Sequence, residues 1–324
     1  MKLLVTGGAG YIGSVVAKQL LEAGHEVAVL DDLSRGHRSA VHPDARLIEV
    51  TLTDAAATRD ALAEGFDGVL HFAAFALVAE SVEQPELYWT NNVQGTFNLL
   101  MAMRAAGVQR LVFSSTCATY GEPERVPMDE TTATAPVNAY GASKLAVDHM
   151  IASECVASGL GAASLRYFNV AGTSGDFGEH HQPETHLIPL VLAAAAGRRE
   201  HVSLFGTDYP TRDGSAIRDY IHVEDLGDAH LLALDRVEPG VHRIYNLGTG
   251  DGYSVREVIA TVEKVTGRPV PVREEPRRAG DPSQLVAASA RAREELGWAP
   301  RRTLEDMVAD AWAWAQAHPD GYPD

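Results

Sequence analysis

Apolar residues enter this chain in short continuous runs that alternate with stretches of helical spacing. Leu3-Leu4-Val5 is such a run, and it stops at the glycine cluster Gly7-Gly8-Ala9-Gly10. From Ile12 to Ala23 the apolar positions recur at helical intervals, which predicts a helix. Glu26 to Leu30 reads as a second strand, closed by Asp31-Asp32. Leu47 to Val50 follows as a strand, Asp54 to Glu64 as a helix, and Gly68 to Phe72 as another strand. Asn91 to Ala106 reads as a helix with Gly107 just past its end. Arg110 to Phe113 is a strand that runs into Ser114-Ser115-Thr116. Strands alternating with helices imply parallel pairing, so the expected fold is α/β with a doubly wound parallel sheet.

The pattern changes near Ala171. Glycine, proline and histidine become frequent from Gly172 to Pro189, and Asp208-Tyr209-Pro210 and Arg212-Asp213-Gly214 read as loops. The chain therefore divides at about residue 170. Residues 1–170 form the first domain. Residues 171–324 form a smaller mixed α/β substrate domain, with some segments returning to the first.

Charge narrows the partners. The formal net charge of −17 argues against a broad nucleic-acid or anionic-membrane surface. No apolar run reaches membrane-spanning length, and the start lacks the apolar core of a signal peptide. Two cysteines, Cys117 and Cys155, build no disulfide framework and match no metal-ligand spacing. The expectation is a cytoplasmic protein with no metal. Any anionic substrate must be caught by local arginines, since lysine occurs at only four positions.

The glycine cluster carries the first chemistry. Thr6 to Gly13 lies between a strand and a helix, and Gly7, Gly10 and Gly13 fall at intervals of three. Glycines there permit a tight turn, close approach of backbone to pyrophosphate and close helix packing. The helix N-terminus offers free N–H groups to phosphate. Asp31, ending the next strand, is placed to accept hydrogen bonds from an adenosine ribose. This is the arrangement of a Rossmann dinucleotide site. Asp31 and Asp32 repel a 2′-phosphate and favour NAD, whereas Arg35 is the one side chain placed to receive such a phosphate.

Tyr140 and Lys144 stand four residues apart and share a helix face. A cation beside the phenol lowers its pKa, so Tyr140 is expected to take a proton from a hydroxyl whose carbon loses hydride. Thr116, just past a strand, offers a hydroxyl to orient the same oxygen.

With these residues in view, the sequence resembles the extended short-chain dehydrogenase/reductase family. The resemblance rests on Thr6-Gly7-x-x-Gly10-x-x-Gly13, the Ser114-Ser115-Thr116 strand end and Tyr140-x-x-x-Lys144. Within it the chain is similar, over nearly its whole length, to the branch that inverts C4 of UDP-linked hexoses. The stretches Ala79 to Val82, Asn91 to Val93, Leu165 to Asn169, Phe205 to Thr211, Ile217 to Val223, Tyr245 to Gly248, Arg277 to Asp281 and His318 to Asp324 carry that similarity. It implies NAD-dependent epimerisation through a transient 4-ketosugar, with Tyr140, Lys144 and Thr116 catalytic. It implies an NAD site of Gly7, Gly10, Tyr11, Ile12, Gly13, Asp31, Asp32, Leu33, Ser34, Arg35, Gly36, Thr51, Leu52, Phe72, Ala73, Ala74, Ala76, Asn91, Ser114 and Phe168, besides Tyr140 and Lys144. It implies a UDP-sugar site of Thr116, Tyr140, Asn169, His186, Leu187, Ser203, Phe205, Arg218, Tyr220, Arg278, Asp281 and Leu285. It also implies a homodimer through the helices 91–106 and 142–155.

Four positions depart from the family's commonest pattern. Thr51 stands where an aspartate often meets adenine, and Ala76 where lysine is frequent. His186 replaces an asparagine beside the sugar phosphate, and Leu285 sits at a gate where some members carry tyrosine. They leave the sugar pair open. A nucleotide-sugar dehydratase, a decarboxylase or a non-catalytic nucleotide sensor on the same fold stay as alternatives. A dehydratase would need an Asp-Glu pair after Thr116, where this chain has Cys117-Ala118-Thr119-Tyr120.

Overall fold

The computed structural model describes residues 1–278 and 281–324. Its first half runs β1 (Lys2–Thr6), α1 (Tyr11–Glu22), β2 (Glu26–Asp31), β3 (Arg46–Glu49), α2 (Ala55–Leu62) and β4 (Gly68–His71). Then come α3 (Val78–Glu83), α4 (Pro85–Tyr88), a six-residue π-helix Trp89–Gln94 that leads directly into α5 (Gly95–Ala106), β5 (Arg110–Thr116), α6 (Ala139–Ser158) and β6 (Gly161–Tyr167). The second half runs β7 (Asn169–Ala171), α7 (Leu187–Ala195), β8 (Val202–Phe205), β9 (Ile217–Arg218), β10 (Tyr220–His222) and α8 (Val223–Arg236). It ends with β11 (His242–Leu247), β12 (Tyr253–Ser254), α9 (Val255–Thr266), β13 (Val272–Glu275), β14 (Gln284–Leu285) and α10 (Leu304–Ala317).

Seven strands form one sheet in the order β11-β6-β5-β4-β1-β2-β3, and every pairing in it is parallel. Strand residues alternate between two cores. Leu3 and Val5 of β1 belong to the layer that also holds Val16 and Leu20 of α1 and Leu226 of α8. Leu4 faces the opposite layer, with Leu99 and Met103 of α5 and Val147 and Ile151 of α6. Both faces are covered, so the strands read as continuous apolar runs without polar alternation.

Order reverses between β1 and β4, because the chain builds outward from β1 to β3 and then returns to the other side. In such sheets ligands bind at the carboxyl ends of the strands, beside that reversal. The second half sends two segments back. β11 pairs along β6 from His242 to Leu247, and α8 packs in the α1 layer. A further core joins α7, α9 and α10 through Val191, Leu192, Val258, Val262, Met307 and Val308. Among the described residues the second half adds three small sheets, β10-β7, β12-β9-β14 and β13-β8.

The helix read from Ile12 to Ala23 spans Tyr11–Glu22, and that from Asp54 spans Ala55–Leu62 with Asp54 as its cap. The segment read as one helix from Asn91 is a π-helix turn followed by α5 from Gly95. The extra residue of that wide turn accompanies the burial of Asn92, whose amide exchanges hydrogen bonds with the backbone of Phe75.

Candidate active site

The glycine turn is built by contacts that admit no side chain. Gly7 has φ of +72°, and a Cβ there would sit 2.4 Å from Ala73 N. A Cβ on Gly13 would lie 2.2 Å from Gly7 O, so α1 starts hard against the turn. Gly10 is the N-cap of α1, and no side chain closes that end. Its first N–H groups are thus open to an anionic group.

Asp31 ends β2 beside the turn. One carboxylate oxygen accepts from Ala9 N at 3.0 Å and the other from Leu33 N at 2.9 Å. Burial raises its pKa, against the pull of those two N–H donors. Asp32 holds the backbone of Ser34, and Gly36 packs on Ala9. The loop Asp31 to Gly36 therefore wraps the glycine turn as one unit. Arg35 pairs with Glu80 at 2.6 Å and lies over the Phe75 ring, so its charge already has a carboxylate partner. Thr51 has its hydroxyl 3.0 Å from that of Thr53, with Leu52 buried next to it. Phe72 and Ala73 run out of β4 with both backbone N–H groups on Thr6 O. Ala74 follows half-buried, Ala76 is exposed, and Asn91 donates to Asn92 at 3.0 Å.

Across the switch point lies the second constellation. Thr116 ends β5, and its hydroxyl accepts from Ala118 N at 3.1 Å. Asn138 caps α6 by accepting from Gly141 N at 2.8 Å. A Cβ on Gly141 would stand 2.4 Å from Ala118 O. Only glycine allows α6 to begin this close to the turn that follows β5, and the Tyr140 phenol lies beside the Thr116 hydroxyl. Gly141 is a positioning residue that the spacing of tyrosine and lysine did not reveal.

Lys144 corrects one expectation. Its Nζ donates to Ser114 O at 2.8 Å and lies over the Phe113 ring. Burial drives its pKa down to about 7, with Asp148 pulling the other way. Tyr140 is pushed up to about 12, chiefly by burial, with the Thr116 hydroxyl pulling down. Lysine does not lower the phenol here, because it is seated on the strand carbonyl and desolvation outweighs its influence. Nearby, neutral His71 bridges the Thr6 and Thr96 hydroxyls at 2.6 and 2.8 Å. Burial and the Lys144 charge lower its pKa to about 3.

The second half frames this edge. Phe168 joins β6 to β7. Asn169 donates its amide to Asp219 O at 3.1 Å, so that group is already engaged. Arg218 on β9 pairs with Asp281 and donates to Ile217 O at 2.7 Å. The two residues read as phosphate and ribose contacts thus also hold each other. Leu285 of β14 is in register with Arg218, so both project from the same face. Arg278 lies 3.9 Å over the Phe205 ring, on the strand face that carries Ser203. Ala279 and Gly280 of the same motif lie outside the described residues. Tyr220 is buried, and Leu187 opens α7 directly after His186. His186 Nδ1 is taken up by Glu179 at 2.8 Å and Glu184 at 3.0 Å.

Asp219, unmarked in the sequence, organises this half. Buried, it accepts from Thr249 N, the Thr249 hydroxyl, Gly250 N and Ala287 N at 2.6–3.1 Å. It ties together the segments that carry Arg218 and Leu285.

A dinucleotide-cofactor enzyme of the short-chain dehydrogenase/reductase class is what this edge defines. The chain belongs to the NAD dependent epimerase/dehydratase family, whose model matches residues 3–248. It is 57% identical to the UDP-glucose 4-epimerase of Corynebacterium glutamicum over 98% of this chain and 96% of that one. It is 58% identical to the UDP-glucose 4-epimerase of Streptomyces lividans, over 100% of this chain and 98% of the other. The crystal structure of UDP-glucose 4-epimerase from Brucella ovis in complex with NAD superposes with a TM-score of 0.93 at 45% identity, covering 96% and 97% of the two chains.

Replacing Asp31 by asparagine keeps one acceptor for the turn and removes the charge. A charge-assisted hydrogen bond contributes about 1.5–3 kcal/mol, so NAD affinity should fall about tenfold to a hundredfold, with UDP affinity kept. Calorimetric titration of both ligands checks this, and unchanged NAD binding removes Asp31 from the cofactor site.

Proposed function

We propose that this chain inverts C4 of a UDP-linked hexose, interconverting UDP-glucose and UDP-galactose with NAD as resident cofactor. The observation that carries the reading is the Tyr140 phenol beside the Thr116 hydroxyl at the end of β5, in a sheet whose β1 ends in the glycine turn on the other side of the switch point. Tyr140 takes the C4 hydroxyl proton, and Thr116 orients that oxygen. NAD, when bound, would supply reversible hydride acceptance at C4, so that the turnover would involve no net oxidation. Arg218 and Arg278 hold the diphosphate by charge-assisted hydrogen bonds, with Asp281 on the ribose. Clamping the nucleotide leaves the 4-ketosugar free to turn and present its other face. Tyr140 then returns the proton. Cys117 takes no part: burial pushes its thiol up to about 12.

The remaining site residues belong to the same proposal. So does the division at residue 170, with α8 and β11 counted in the NAD-binding part. A homodimer through α5 and α6 is also proposed, where Phe97 and Val156 are exposed apolar residues. Among the described residues no helix is long and apolar enough to cross a membrane, and a cytoplasmic location fits the two unpaired cysteines. Chromatography of products from a panel of UDP-sugars, without added reductant, tests the activity. Failure to interconvert any epimeric pair overturns it.

Sugar choice turns on Leu285, beside Arg218. Leucine is shorter than tyrosine and leaves room for a C2 N-acetyl group, so some turnover of the N-acetylated pair is expected. Leu285→Tyr should suppress that turnover and spare the glucose pair. Steric discrimination of this kind amounts to about 1–3 kcal/mol, a partial preference. The check is kcat/KM for both pairs in parent and variant. Equal losses would remove Leu285 as a selective gate.

A further inference from the structure

The loop ahead of α7 gathers two carboxylates and two imidazoles. Glu179, His181, Glu184 and His186 each direct one donor atom to a common region, all four atoms lying within 4.8 Å of one another. His181 Nδ1 is 3.3 Å from Glu179 and 3.7 Å from Glu184. His186 Nδ1 is 2.8 and 3.0 Å from the same two carboxylates. Four donors held at about 2.0–2.1 Å around a tetrahedral zinc ion stand about 3.3 Å from one another. The four separations, 2.8–3.7 Å, lie on either side of that value, with Glu184 presenting a different oxygen to each imidazole.

Hydrogen bonding alone does not explain the cluster. His181 Nδ1 is buried and has no well-aligned hydrogen bond, although the Glu179 and Glu184 carboxylates stand 3.3 and 3.7 Å away. A lone pair directed to a shared cation satisfies that nitrogen where a proton does not. Two imidazoles select against calcium and magnesium, which take oxygen donors, and two carboxylates neutralise a divalent ion.

We propose that Glu179, His181, Glu184 and His186 form a zinc site. Four protein donors leave no open position, so the ion is structural and takes no part in the reaction. It closes the loop that delivers His186 and Leu187 to the start of α7. It also braces the cofactor side, since the His181 ring stands edge-on to Tyr11 at 6.5 Å between centroids. Tyr11 in turn donates to Gly172 O at 2.6 Å. The Glu-x-His-x-x-Glu-x-His spacing over residues 179–186 is legible in the sequence, but the expectation of no metal weighed only cysteines.

The alternative is an ion-pair cluster of protonated histidines and carboxylates that needs no metal. Full-length protein is stripped with dipicolinate and titrated with zinc chloride, with magnesium chloride as control. The expected result is one zinc per chain and a rise of several degrees in Tm, with no response to magnesium. Zinc-edge absorption should show only nitrogen and oxygen donors near 2.0 Å. His181→Gln combined with His186→Gln should abolish stoichiometric binding. Glu184→Gln, the milder change, should weaken it at least about tenfold while circular dichroism stays native. No stoichiometric zinc, no Tm response, or equal zinc binding in Glu184→Gln overturns the site. If the double variant does not fold, Glu184→Gln and the absorption spectrum of the parent decide the question. None of these measurements depends on epimerase activity.

Discussion

Tyr140→Phe will give a folded, NAD-binding chain whose kcat has fallen about 10²–10⁴-fold, the usual loss when a positioned acid–base group is removed. The ring is half-buried and packs edge-on to Tyr88, and phenylalanine keeps that contact. Only the hydroxyl beside Thr116 is lost. The loss should appear in kcat and kcat/KM equally, because the proton moves only in the reaction and not on binding. In the ligand-free chain the phenol is pushed up to about 12 and stays protonated at neutral pH. Its ionisation therefore needs positive charge brought in beside it, which oxidised NAD supplies. The pH profile of kcat/KM should accordingly titrate well below 12 in the NAD-loaded enzyme and vanish in the variant. Near-parental turnover by Tyr140→Phe would sink the proton-transfer assignment.

Lys144→Met should abolish most activity and yet stabilise the ligand-free fold at neutral pH. Lys144 is buried, and its pKa lies at about 7 in the fold against an ordinary 10.5. Between those values the unfolded chain holds a proton that the folded chain has released, so stability rises with pH through that window. Below pH 7 the penalty is fully present, and above 10.5 it is gone. At 1.36 kcal/mol per pK unit, the displacement costs on the order of 5 kcal/mol. Losing the bond to Ser114 O offsets about 1–3 kcal/mol of the gain. Methionine should raise the apparent Tm at pH 7 by several degrees, and the advantage over the parent should shrink toward pH 10. Calorimetry of ligand-free parent and variant at both pH values checks this. A variant less stable at pH 7, or a gap that widens with pH, would show that the lysine is not held near neutrality. The stored penalty suits a residue whose charge is kept for cofactor and substrate.

Much of this was open to reading from the chain alone. The β1, α1 and β2 series is encoded locally, by continuous apolar runs, helical spacing and glycines that break them. Strand and helix identity there depends on neighbours within a few residues, so the doubly wound sheet and its glycine turn needed no tertiary information. The family resemblance likewise rested on short linear motifs, and the residues of β5 and α6 were found by spacing.

What only the tertiary structure decided depends on groups distant in sequence. Lys144, on the same helix face as Tyr140, was expected to lower the phenol's pKa, yet its ammonium donates to Ser114 O, thirty residues away, and burial dominates both pKa values. Asp219 gathers donors from Thr249, Gly250 and Ala287. Arg218 meets Asp281, and Arg35 meets Glu80, so their charges have partners that spacing could not supply. β11 reaches the central sheet only after the chain has crossed the second half. Local periodicity specifies which face of an element is apolar. Desolvation, ion pairing and the convergence of Glu179, His181, Glu184 and His186 are properties of enclosed space, which exists only once the chain has folded.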